Sequence, residues 1–450
     1  MGIQTQIDEV RQPSQVAHWN LAKRVSFRFC FTYLGLFCIF TEILGEILGG
    51  LFPLPNFFFP PLATMWPMRQ IVFWSAAHIF RIPHPLVYAD FDSSDKTFDW
   101  IATFCLLMLA VLATVIWSVL DRRRDNYVTL YKWFRLFIRF ALAAEMFTYG
   151  LAKVVPQQMP FPFLTRFVEP FGNFTLLGVL WNSIGASPAY EIVTGCAETL
   201  GGILLMVPRT TTLGALLCLA DLTQVFILNM TYDVPVKLLS FHLILMALFV
   251  LAPELPRLVN FFLLNRSVGP STQPQLFSMR RANHLATAAQ IALGIYLIAM
   301  LLYGSWTTWN AFGGGRTKSP FYGIWNVDQF VIDGQLHPPL LTDNTRWRRL
   351  IFDFPTSVNF QGVDDSFTGY GAAINAKDKT IALTKTNDKD WKAQFTFERP
   401  TQNELVLDGQ MDNHTIHMQL QLIDLHKYSL VNRTFHWIAE YAFDRSEVWH

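Results

Sequence analysis

Seven ionisable side chains stand inside long apolar stretches of this 450-residue chain: Glu42, Glu46, Glu145, Lys153, Glu198, Asp221 and His242. An unpaired charge at the centre of a membrane helix costs roughly 2.5 to 3.5 kcal/mol, so this set would cost on the order of 10 kcal/mol facing lipid. These groups must therefore face one another or a polar cavity. Glu42 and Glu46 are four residues apart and share a helix face, as do Glu145, Tyr149 and Lys153. A lysine in an apolar pocket can have its pKa lowered enough to act as a base. Intramembrane ionisable residues usually mark a pathway or a site. The competing reading is structural glue, with each group bonded to a neighbouring helix.

The elements that position them are membrane spans. Hydrophobic residues make up 52% of the chain and charged residues 15%, far from soluble-protein usage. At about 20 apolar residues per span, helices are expected near 27–51, 99–120, 131–153, 189–207, 211–230, 236–253 and 285–306. This makes an α-helical bundle of about seven transmembrane helices. The start, MGIQTQIDEVRQ, lacks the charged-then-apolar pattern of a cleaved signal, so the first span is expected to be an anchor. A net charge of +1 gives no reason to expect nucleic acid as a partner. Cys30, Cys38, Cys105, Cys196 and Cys218 lie in or beside apolar runs without a CxxC pair, which predicts free thiols.

Basic residues set the expected orientation. Arg11, Lys23, Arg24 and Arg28 precede the first span, Arg122, Arg123 and Arg124 follow the second, Arg209 follows the fourth, and Arg257, Arg266, Arg280 and Arg281 follow the sixth. These segments fall on one side, expected to be cytoplasmic in the cell (inner) membrane, and most of the ionisable groups then lie toward the outer surface. A polar cavity opening outward follows. The outer stretch 53–98 is too apolar for a free loop and too broken for a span, which fits a re-entrant or interfacial segment with Trp66 and Trp74 at headgroup level. The stretch 156–186 has the same Pro and Phe flavour, and both are expected to cap the bundle.

Beyond Gly313-Gly314-Gly315 the composition changes to charges, turns and short alternating runs. Strands are expected over 322–332, 347–353, 357–363, 380–386, 391–398, 403–409, 414–423, 427–433 and 437–443, an all-β barrel or sandwich. The divisions that follow are an N-terminus (1–25), two first spans with the outer segment (26–128), a four-helix unit (129–254), a cytoplasmic loop (255–284), a last span (285–310) and a periplasmic or extracytoplasmic β domain (316–450). Tyr322-Gly323-Ile324-Trp325 resembles the Gly-x-Trp that opens the first strand of lipocalins. The resemblance implies that Trp325 plugs one end of a barrel beneath a late basic residue, Arg433 or Arg445.

The third span, Arg139-Phe-Ala-Leu-Ala-Ala-Glu145-Met-Phe-Thr-Tyr-Gly150-Leu-Ala-Lys153, resembles the Arg…Gly-x-x-Lys helix of DoxX-like membrane proteins, and Glu198-Thr199-Leu200-Gly201-Gly202 is similar to their Glu-x-x-Gly-Gly helix. The resemblance covers about 130–252 and carries over Arg139, Gly150, Lys153, Glu198, Gly201 and Gly202. It implies a multi-pass protein of a family with links to quinone or thiol redox complexes. Gly150-x-x-Lys153 is also similar to the helix bearing the catalytic lysine of vitamin K-dependent γ-carboxylases, although the rest of that site is not recognisable and His242 is only a speculated second group.

Three function classes follow: a quinone-linked or lipid-soluble-redox membrane subunit, a non-catalytic binder or carrier of an apolar ligand, and an assembly factor holding an extracytoplasmic protein partner. The DoxX resemblance favours the first. The chain has no CxxC, no GxGxxG and no histidine set for haem, so redox work would need a quinone or a partner. The expected reacting groups are Lys153, Glu198 and Glu145, with Glu42, Glu46, Arg139, Tyr149, Asp221 and His242 as ligand contacts. No metal site is expected.

Overall fold

A computed structural model describes residues 18–51, 59–89, 93–271, 275–343, 345–385, 388–432 and 435–438. The protein is an α-helical membrane bundle followed by a closed β-barrel. Its chain divides into two compact units, Met1–Val155 with Ile192–Ser305, and Pro156–Glu191 with Trp306–His450.

In the first unit, α1 (Leu21–Phe40) and α2 (Glu42–Leu51) meet at Thr41 with a 63° bend. The short α3 (Met68–His78) packs through Val72 and Ala76 on α4 (Thr97–Leu120), leaving Trp66 and Trp74 exposed. The bundle continues with α5 (Val128–Val154) and α7 (Pro188–Met206), while the short α6 (Leu176–Gly185) between them in sequence belongs to the second unit. Then come α8 (Thr211–Thr231), α9 (Lys237–Leu251), a single turn α10 (Leu255–Leu258) and α11 (Arg280–Ala311).

Among the described residues, five helices are long and apolar enough to cross a membrane, or six if the bent α1–α2 pair is one span. With α5 beside them the bundle agrees with the expectation of about seven. The odd one out is α5, which has 27 residues but carries Lys132, Arg135, Arg139, Glu145 and Lys153. Burial against its neighbours, not lipid, accommodates it: Arg135, Arg139, Glu145 and Lys153 are all buried. The five cysteines are free, as expected.

The barrel is a meander of antiparallel strands: β1 (Gly323–Ile332), a two-residue β2 (Gln335–Leu336), β3 (Trp347–Phe352), β4 (Ser357–Gly362), β5 (Phe367–Asn375), β6 (Thr380–Lys385), β7 (Asp388–Glu398), β8 (Glu404–Met411) and β9 (His414–Leu422). Pairing of β1 with β9, from Trp325 opposite Leu422 to Ile332 opposite Ile416, closes eight strands on themselves. Every second residue points inward, and Trp325, Phe330, Phe360, Trp391, Phe395 and Met418 fill the interior. Two strand expectations fail here. The strand β5, FTGYGAAIN, was not foreseen, because its glycines and alanines carry little β propensity. Of the expected strand 427–433, the described residues 427–432 form no strand but end in a helical turn, α12 (Ser429–Asn432). Most of 437–443 lies outside the described residues.

The segment 156–191 packs within the barrel unit, a grouping that hydropathy did not suggest. Ile324 and Ile351, on the outward side of their strands, are fully buried beneath Leu164. The Leu164 amide donates to Asp353 Oδ2 at 2.9 Å, Asp353 is ion-paired to Arg316, and Gln361 donates to the Val168 carbonyl at 3.0 Å.

Candidate functional site

The bend at Thr41 turns α2 so that Glu42 and Glu46 face inward. A cavity of about 400 Å³ opens beside them in the first unit. Its walls are apolar at Phe37, Phe40, Phe59, Leu239 and Leu301, and polar at Glu42, Glu46, Thr64, Ser94, Asp99 and Thr148. The loop before α4 shapes its mouth. Asp95 accepts hydrogen bonds from the Lys237 and Leu238 amides at 2.6 and 2.8 Å, satisfying free donors at the start of α9. This holds Ser94 in place to donate to Glu42 Oε2 at 2.5 Å. Lys96 is ion-paired to Asp99 at 2.9 Å, so the lining lysine is already neutralised. Ser94, Lys96, Asp99 and Thr148 went unforeseen. Asp99, at the first turn of a span, was a usable signal.

Behind Glu46 stands Glu145 of α5, fully buried, and the two carboxyl groups lie against each other. Apart from each other, neither oxygen of Glu145, nor Oε2 of Glu46, has a hydrogen-bond partner among the described residues. Adjacent carboxylates repel when both are charged, so this pairing calls for a proton or a cation between them. Tyr149, one turn beyond Glu145, lies within electrostatic range of Glu42, Glu46, Glu145 and Glu198. It links the carboxyl cluster to the next group.

That group is Lys153 with Glu198. The Lys153 ammonium donates to both carboxylate oxygens, at 2.8 and 2.7 Å, with both residues buried. Backbone contact makes this possible. A Cβ on Gly150 would come within 2.5 Å of Thr199 Oγ1 and 2.8 Å of its amide nitrogen, and one on Gly195 within 2.6 Å of the Gly150 carbonyl. The helices α5 and α7 therefore cross through small residues. Gly202 fits against Phe147 in the same way. The motif glycines thus set the separation at which the ion pair closes, and Gly195 belongs with them. Asp221 lies in range of Glu198 and Lys153, with Oδ2 unpartnered among the described residues.

His242 stands behind the cavity wall at Phe37 and is fully bonded. Its Nδ1 donates to the Leu238 carbonyl at 2.7 Å, which leaves Nε2 to accept from Tyr33 at 2.7 Å. The ring stacks on Phe37 at 3.6 Å. Arg139 lies toward the other end of α5, bonded to Thr211 and Gln290. In the barrel, Trp325 is fully buried and donates to the Phe321 carbonyl at 2.9 Å. The guanidinium over its ring belongs to Arg399, in the β7–β8 connection, at 5.8 Å. Arg433 and Arg445 lie outside the described residues. No group of three metal-ligating residues occurs among the described residues.

No family model matches the chain, and no solved structure does. An uncharacterized protein, YwoB of Bacillus subtilis (strain 168), is 34% identical over 131 residues, which are 29% of this chain and 79% of the relative. The chain belongs to the YwoB family. Because YwoB itself is described as uncharacterized, membership brings a lineage without a reaction. The match spans 131 residues, so most of the 450-residue chain lies beyond it.

Proposed function

We propose that the membrane half is a DoxX-like binder of a lipid-soluble ligand, whose polar head lies against Glu42 and Glu46 while its apolar part lies along the phenylalanine and leucine wall. One observation carries this reading: a cavity of about 400 Å³ inside the bundle, with the Glu46 carboxyl on its wall lying against the buried Glu145 carboxyl behind it. Cavities of this size hold small ligands when apolar walls surround a few convergent polar groups. Lys153 and Glu198 act here as a positioning pair, since each already satisfies the other.

A second reading, a quinone-linked redox subunit, is favoured by the row Glu46, Glu145 and Tyr149. Such a row could carry protons between a bound quinone head and the interior, while a partner protein would supply the electrons. In both readings the basic loops face the cytoplasm and the C-terminal domain is extracytoplasmic. The interior of the barrel is occupied by its own side chains, which supports ligand binding in the bundle over the barrel and leaves the barrel surface for a protein partner.

Purification in mild detergent followed by mass spectrometry of extracted small molecules tests this. A stoichiometric phospholipid or other amphiphile supports the carrier reading, and a stoichiometric quinone supports the redox reading. An empty protein that also fails to take up either class on addition contradicts both.

A further inference from the structure

The end of the bundle remote from the carboxyl cavity holds a second, smaller pocket of about 50 Å³, lined by Lys132, Arg135, Leu136, Arg139, Pro208, Leu276 and Gln290. Three cations converge on it, and no carboxylate is among the lining residues. Arg139 is 6% exposed. Its side chain donates to Thr211 Oγ1 at 3.2 Å and to Gln290 Oε1, both neutral acceptors, and its Nε has no partner among the described residues. Arg135, also buried, donates to the Val250 carbonyl at 3.0 Å, and Lys132 donates to the Gln275 carbonyl at 2.6 Å. The nearby Glu254 is bound to Arg257 and Ser271.

Burying a guanidinium without a counter-charge is costly. The Arg139 charge is balanced by no ion pair among the described residues. A water needs about 10 to 15 Å³ of such space, so this volume accommodates a group the size of a phosphate. Planar guanidinium forks match phosphate oxygens in geometry as well as charge. The pocket also lies at the end where Arg122, Arg123, Arg124, Arg209, Arg280 and Arg281 cluster in sequence, and basic pockets between spans at such an end hold acidic lipid heads.

We infer that Lys132, Arg135 and Arg139 form a binding site for a phosphate-bearing anion, separate from the carboxyl cavity. An acidic phospholipid head and free phosphate share this chemistry, and the experiment separates them. The full-length protein in mild detergent is heated with phosphatidylglycerol, phosphatidylcholine or inorganic phosphate. Phosphatidylglycerol should raise the unfolding midpoint by several degrees, with phosphatidylcholine having no such effect. A rise from inorganic phosphate alone, at millimolar concentration, would assign the site to the free anion. Arg139→Gln and Lys132→Gln should each weaken the response roughly tenfold, the scale of one charge-assisted hydrogen bond. Lys132 is half-buried and bonded to one carbonyl, so Lys132→Gln remains informative if Arg139→Gln does not fold. Equal responses to both lipids with none to phosphate, or a wild-type response in the folded variants, would overturn the assignment.

Discussion

Lys153 and Glu198 form a closed ion pair in which one ammonium serves both carboxylate oxygens, at 2.8 and 2.7 Å. Breaking a buried pair strands the remaining charge at a cost of about 3 to 5 kcal/mol, whereas removing both charges leaves none stranded. Lys153→Met and Glu198→Gln should each lower thermal stability in detergent sharply, and the double variant should recover most of the loss. Singles as stable as wild type, with ligand binding lost, would return Lys153 and Glu198 to the reacting groups.

The same contact makes Gly150 a steric requirement. Its added Cβ would meet the Thr199 backbone nitrogen at 2.8 Å, an atom that cannot swing away. Gly150→Ala should cost about 1 to 3 kcal/mol by forcing α5 and α7 apart. Ala at Gly304, whose Cβ position meets nothing within 4 Å, is the control expected to be near neutral in the same thermal assay.

In the barrel unit, Leu164 covers Ile324 and Ile351. Leu164→Ala should destabilise the barrel by roughly 2 to 5 kcal/mol, as for other buried leucines. Asp353→Asn should be comparably damaging, because it leaves Arg316 without its carboxylate partner. Protection of barrel amides against hydrogen exchange in the full chain reads both effects. Protection unchanged in the Leu164 variant would mean that the segment does not hold the barrel.

These contacts also mark how far the sequence could be read. Trp325 as the plug was legible, because Gly-x-Trp at the head of an alternating strand is a local pattern. Its cation was not, because Arg399 reaches Trp325 across 74 residues of chain. Hydropathy located the helices, but not the bend at Thr41, which no Pro or Gly announces. Nor could it show that Glu46 meets Glu145, or that Ser94 meets Glu42, since both are products of tertiary packing. The segment 156–191 misled because its apolar side chains cover a β surface. That surface, Ile324 and Ile351, lies on the outward face of strands whose inward face is equally apolar.

Orientation is open to a direct test. A reporter active only outside the cytoplasm should work when fused after Trp325 and fail when fused at Arg123, as the distribution of basic loops requires. The opposite pattern would place the carboxyl cavity toward the cytoplasm.

The most direct test of the ligand site is the amount of ligand that co-purifies with Glu46→Gln and Glu145→Gln compared with wild type. Glu145 is fully buried and among the described residues its carboxyl meets only that of Glu46, so the isosteric amide changes charge and hydrogen bonding while keeping volume. Both variants should remain monodisperse and lose most of the bound molecule found by mass spectrometry in the wild type. Wild-type occupancy in both folded variants would contradict the account, because the carboxyl pair behind the cavity would then have no part in holding a ligand.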